Sequence, residues 1–156
     1  MNKKIKLCVV MFSIMLPGLI GANEKMINLK KASEQAAKLN VPIMLVFMDD
    51  DCEDCESIKD EVLKPMQISG DYQDKIVVIT INIQNDKIID FTGAVNKIET
   101  LTNRYDLELT PSVSFVDAVG KTLIPPISGL SNLEYYGSLV DEGIEKANIK
   151  LQNNKN

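Results

Sequence analysis

An unbroken apolar run from Val41 to Met48, "VPIMLVFM", passes directly into "DDDCEDCE", residues 49–56. A short continuous run of this kind reads as a buried strand, parallel and central in its sheet, and Pro42 stands at its opening, where a strand tolerates proline. From Cys52 the period changes. Cys55, Ile58 and Val62 recur at helical spacing, and Pro65 is expected to end that helix at "LKP". A Cys-x-x-Cys pair therefore sits where a buried strand turns into a helix, inside six carboxylates with no basic residue among them.

The remaining elements build around that joint. In "INLKKASEQAAKLN", Leu29, Ala32, Ala36 and Leu39 mark the apolar face of a helix. "KIVVITINI", Lys75 to Ile83, is a second, β-branched strand, and residues 84–97 read as a polar loop turning at Gly93. Leu101 and Tyr105 lie four apart on a short helix. The stretch from Thr110 to Ile127 reads as strand, turn at Ala118 to Gly120, and strand, an antiparallel hairpin. After Gly129 a last helix carries Leu133, Tyr136, Leu139, Val140 and Ile144 on one face. Two parallel-type crossovers followed by a hairpin define an α/β sandwich of one domain, with a mixed sheet and helices on both faces.

The amino terminus reads as an address label. Lys3, Lys4 and Lys6 precede an apolar run from Leu7 to Ala22 that Pro17 and Gly18 interrupt, the pattern of a secretory signal peptide cleaved after Ala22. A retained anchor would need about 20 uninterrupted apolar residues. The expected division is thus a signal peptide over 1–22, a folded domain over 23–149 and a frayed polar tail over 150–156. Cys8 leaves with the signal. Losing the three lysines takes the formal charge from −5 to −8, which argues against nucleic acid or anionic lipid and for a basic partner protein. No stable membrane insertion is expected after cleavage.

The chain has no histidine. That removes His-based zinc and copper sites, Cys-His proteases and Ser-His-Asp hydrolases. Cys52 and Cys55 can then form a redox pair, an inert crosslink or part of a metal site. Two thiolates with carboxylates could hold zinc or copper, but no third strong ligand is in sight, and "DDDCED" lacks the glycine and distal glutamate of a calcium loop. Met44 and Met48 read as core residues. Phe115, Tyr135 and Tyr136 read as core or rim packing.

"CEDC" after a buried strand, Thr110-Pro111 before the hairpin and Gly129 before the final helix together resemble the thioredoxin superfamily. The insert with "IIDFTG", followed by "ETLTNRYDLELTPSVSFVDAVGK", is most similar to exported thioredoxin-like proteins associated with bacterial sulfur-oxidation systems. The resemblance implies a thioredoxin-like three-layer α/β/α sandwich and a periplasmic thiol–disulfide oxidoreductase, a reductant or mild isomerase without a cofactor. Cys52 would be the attacking thiol and Cys55 the buried resolving thiol. Pro111 would be a cis-proline facing the pair, with the backbone of Thr110 pairing with a substrate strand. The implied partners are an exported protein with a disulfide or reactive cysteine, such as a cysteine-bearing carrier of the sulfur-oxidation machinery, and an inner-membrane or thioredoxin-type electron donor. A non-catalytic metal-binding or client-binding module on the same fold is the alternative.

Three positions depart from the family pattern. Asp51 stands where relatives favour an aromatic residue, Val46 where thioredoxins bear a buried aspartate, and Thr80 where that aspartate's lysine partner is customary. The acids and the helix N-terminus push the Cys52 thiol in opposite directions by comparable amounts. A nearly unperturbed thiol is expected, and with it a potential of about −200 to −280 mV.

Overall fold

The computed structural model describes residues 26–154. The expected signal peptide and Cys8 lie outside the described residues. Helix α1 spans Leu29–Leu39. It starts where the Asn28 side chain accepts the Lys31 N–H at 3.1 Å, and it stops at Asn40, whose left-handed backbone returns its N–H to the Ala36 carbonyl. Leu29, Ala32 and Ala36 are buried, whereas Leu39, expected on the same face, is exposed.

Strand β1 (Ile43–Met48) is buried along its whole length. It pairs in parallel with β2 (Val77–Asn82) and antiparallel with β5 (Ser112–Val116), which pairs in turn with β6 (Ile127–Ser128). The strand order is β2-β1-β5-β6, so β1 is central but parallel to one neighbour only. Its side chains alternate between two cores. Met44, Val46 and Met48 enter a core built with Cys55, Ile58, Val62, Phe115, Tyr136 and Val140. Ile43, Leu45 and Phe47 enter the opposite core with Leu29, Ala32, Ile81, Leu101 and Tyr105. Covering both faces is why the run shows no polar alternation.

Three local expectations need correction. Pro65 does not end the helix that begins after Cys52. Helix α2 (Glu53–Ile58) passes through a π-helical turn (Lys59–Leu63) into α3 (Lys64–Ser69). The Lys64 N–H reaches back five residues to the Lys59 carbonyl, so Pro65 enters as a first-turn residue of α3, where its missing N–H is tolerated. Residues 84–97 are not all loop either. They hold a small hairpin of β3 (Lys87–Ile89) and β4 (Val95–Lys97), followed by α4 (Ile98–Arg104). Finally, α5 runs from Leu133 to Asn153, into the expected tail. Leu151 continues the buried stripe of Ile144 and Ala147, and the Asn148 side chain donates to the Lys75 carbonyl at 3.0 Å.

Candidate functional site

The site is assembled at the edge of the sheet where β1 ends. Asp49 shapes the exit: its carboxylate accepts the Asp51 N–H at 3.1 Å and the Gln84 side-chain amide. Asp50 accepts the Asn82 amide at 2.6 Å. Cys52 then caps α2. Its backbone is extended, and its sulfur accepts the Cys55 N–H at 3.1 Å. Its carbonyl also receives the N–H groups of Cys55 and Glu56, at 3.1 and 3.3 Å. Of the donors that a helix start leaves unpaired, the Cys55 N–H is thus taken up by Cys52, whose carbonyl also accepts the first regular helical bond from Glu56.

The two cysteines form a disulfide, with their Cα atoms 5.2 Å apart. They differ in access, since Cys55 is 2% exposed while Cys52 is only half-buried, at the rim of the Cys55 core. An incoming sulfur can reach the first cysteine and not the second. The six carboxylates are divided too. Asp49 and Asp50 are occupied by side chains at the end of β2, and Glu56 pairs with Lys59 at 3.0 Å. Asp51, Glu53 and Asp54 remain exposed around Cys52 without an ion-pair partner among the described residues.

The Thr110–Pro111 peptide bond is cis. Pro111 immediately precedes Ser112, which pairs with Phe47 near the end of β1, so the proline lies at the same sheet edge as the cysteine turn. The Pro111 carbonyl is held by the Gly129 N–H at 2.8 Å. The backbone N–H and C=O of Thr110 make no hydrogen bond among the described residues. Thr110 also borders an open groove of about 390 Å³, together with Asp49. Ile83, Ile98, Leu107 and Leu109 supply its apolar lining, and Glu99 and Glu108 add negative charge. Sequence reasoning missed this groove because its walls come from four separate segments.

Val46 and Thr80, two of the departures noted above, are direct partners across the β1–β2 ladder. Val46 is fully buried in the core that contains Cys55, so no carboxylate occupies that place behind the buried sulfur. Among the described residues the buried polar side chains of Ser, Asp, Glu, Lys and Arg type are Ser112 and Ser114 alone. No three His, Cys, Asp or Glu residues among them are grouped as metal ligands. No helix of the described residues is long and apolar enough to cross a membrane.

Residues 29–142 match the thioredoxin-like domain family, and the chain belongs to it. No curated protein sequence matches the chain. Among solved structures, the DsbH oxidoreductase is 20% identical, with a TM-score of 0.54, covering 87% of this chain and 94% of its own. Thioredoxin O2 from Arabidopsis thaliana, in the oxidized state, is 13% identical with a TM-score of 0.49, covering 75% and 90%. A thioredoxin-fold protein from Helicobacter pylori is 22% identical with a TM-score of 0.43, covering 77% and 96%. The DsbH likeness supports the fold, a thioredoxin-like mixed sheet flanked by helices.

Proposed function

We propose that the protein is a thiol–disulfide oxidoreductase that reduces or reshuffles disulfides of exported proteins. The observation that carries this reading is the unequal access of the two bonded sulfurs, Cys52 reachable and capping a helix, Cys55 buried three residues on. In the reduced protein the Cys52 thiolate attacks a client disulfide. A bond forms between Cys52 and one client sulfur, and the other client sulfur leaves as a thiolate and takes a proton from water. Cys55 then loses its proton to solvent and attacks Cys52. The client's second sulfur is expelled and the Cys52–Cys55 disulfide closes. The client gains two electrons, and a dithiol donor must return two to the pair.

The unengaged backbone of Thr110 supplies edge-strand hydrogen bonds to an extended client segment. The adjoining groove, apolar inside with Asp49, Glu99 and Glu108 along it, favours a segment that combines apolar and basic side chains. Periplasmic location rests on the leader-like residues 1–22, and a carrier of the sulfur-oxidation machinery as client rests on the resemblance of the insert. Purified Cys55→Ser protein is expected to retain client proteins covalently on Cys52, releasing them on reduction. Recovery of the variant with no mixed disulfide, from cells in which Cys52→Ser gives the same empty result, would sink the reading.

A further inference from the structure

Strand β2 lies at the edge of its sheet, and among the described residues no strand pairs with its outer side. The Val77 and Ile83 N–H groups donate inward, to the carbonyls of Pro42, just before β1, and Met48. Alternate residues of a strand bond to opposite sides, so Val78, Thr80 and Asn82 turn their N–H and C=O groups outward. Edges of this kind are ordinarily guarded by charge, proline or brevity. This one has no such guard. The strand is six residues long, and the ten residues from Ile76 to Asn85 include neither a charged side chain nor a proline. A groove of about 430 Å³ runs beside Val78 and Ile79, with Gln35 of α1 on one face and Met66 and Gln67 of α3 on the other. Every side chain that lines it is uncharged. The groove therefore lies where one more strand would join the sheet.

The flanks of the uncharged stretch indicate which strand. Asp74-Lys75 precedes it and Asp86-Lys87 follows it. All four residues are exposed, and none has an ion-pair partner among the described residues. Laid antiparallel against a copy of itself, the segment brings Asp-Lys beside Lys-Asp at both ends. We propose that the outer edge of β2 is the docking surface for a second copy of this chain, the two β2 strands pairing antiparallel about a twofold axis at Thr80. Thr80 then exchanges both of its outward hydrogen bonds with its symmetry mate, and Val78 exchanges them with Asn82. On the other face Ile79, half-buried in one copy, lies opposite Ile81 of the other. At the ends Lys75 reaches Asp86 across the axis, and Lys87 reaches Asp74. The overall charge argues for the same arrangement. Two chains of net charge −5 repel unless they meet where charge is absent or alternates in sign. A basic client finds no carboxylate along this groove. The edge is separated by β1 from β5 and the Thr110–Pro111 bond, so pairing leaves the client edge free, and it sets the two cysteine turns at opposite ends of the pair.

Sedimentation equilibrium of the purified protein, read together with amide hydrogen exchange, tests the interface. The expected result is a species of twice the chain mass, with the Val78, Thr80 and Asn82 amides gaining protection as concentration rises. Thr80→Pro removes an outward donor and no inward one, so circular dichroism should hold while dimerisation weakens about thirtyfold, the loss of two backbone hydrogen bonds by symmetry. A second pair of variants leaves the strand itself untouched. Asp74→Lys with Asp86→Lys crowds lysines at both ends and should weaken the dimer about tenfold, and adding Lys75→Asp with Lys87→Asp should restore it. A protein still monomeric at about 1 mM would overturn the inference. So would a dimer in which those three amides exchange freely, or protection already complete in the monomer, which would place another segment of the same chain on the edge. Each of these outcomes leaves the oxidoreductase reading standing, because none involves the cysteines.

Discussion

Two turns in this molecule follow strands and open on aspartate, yet they use their carboxylates in opposite ways. At "DFTGA", Asp90 accepts the backbone N–H groups of Thr92 and Ala94 at 2.8 and 3.0 Å, the Thr92 hydroxyl at 2.7 Å and the Asn96 amide at 2.6 Å. Hydrogen bonds from the Thr92 side chain, then from the Thr92, Ala94 and Gly93 backbone, hold its pKa below the ordinary carboxylate range. At the cysteine turn, Asp49 and Asp50 are similarly engaged, but Asp51, Glu53 and Asp54 remain exposed. The first turn spends its charge on local architecture. The second keeps three charges whose reach is the field around Cys52. A carboxylate's contribution is thus set by how many donors the backbone turns toward it.

The sharpest way to break this comparison is Asp90→Ala. It removes the acceptor of four hydrogen bonds at once, so the β3–β4 hairpin is expected to lose hydrogen-exchange protection and the melting temperature to fall by several degrees. The disulfide potential should not move. The effect carries a pH signature. Because the folded-state pKa of Asp90 lies below its unfolded value, its stabilisation is complete above the unfolded value and disappears as pH falls through the folded one. The melting difference between wild type and Asp90→Ala should be constant from about pH 6 to 8 and shrink below about pH 4. A difference that grows on acidification would contradict the assignment.

The two turns also differ in how far the sequence reveals them. The strand-to-helix joint at Cys52 is legible because an eight-residue apolar run and a change of period are strong signals, whereas the spacing of Cys52 and Cys55 fits a redox pair, a crosslink and a metal site alike, and it is the structure that shows the disulfide. The Asp90 hairpin is not, since three-residue strands carry too little periodicity and its register depends on side-chain acceptors. Pro65 misleads for a related reason. A proline ends a regular helix, but a π-helical turn shifts the hydrogen-bond register ahead of it, and that shift carries no periodic signal in the sequence. Leu151 could have been found, standing four residues after Ala147 on the same stripe. Tyr136 is legible as a core residue, while its unpaired hydroxyl is visible only once its neighbours are known to be apolar.

The smaller effect, and the one that sharpens the comparison most, belongs to the cysteine turn. Asp51→Asn, Glu53→Gln and Asp54→Asn combined remove three charges without breaking an ion pair among the described residues. Stability should therefore change little. The potential should change, because a carboxylate about 8 Å from a thiolate opposes its formation. Removing three of them, with screening over a similar length, favours the reduced form by about 15 mV at pH 8. The sign is toward a stronger oxidant. Equilibration against glutathione measures this, and raising salt should shrink the difference between wild type and the triple variant. A shift of the opposite sign, or one that salt leaves untouched, would mean these acids act through local structure as Asp90 does, and the contrast between the two turns would fail.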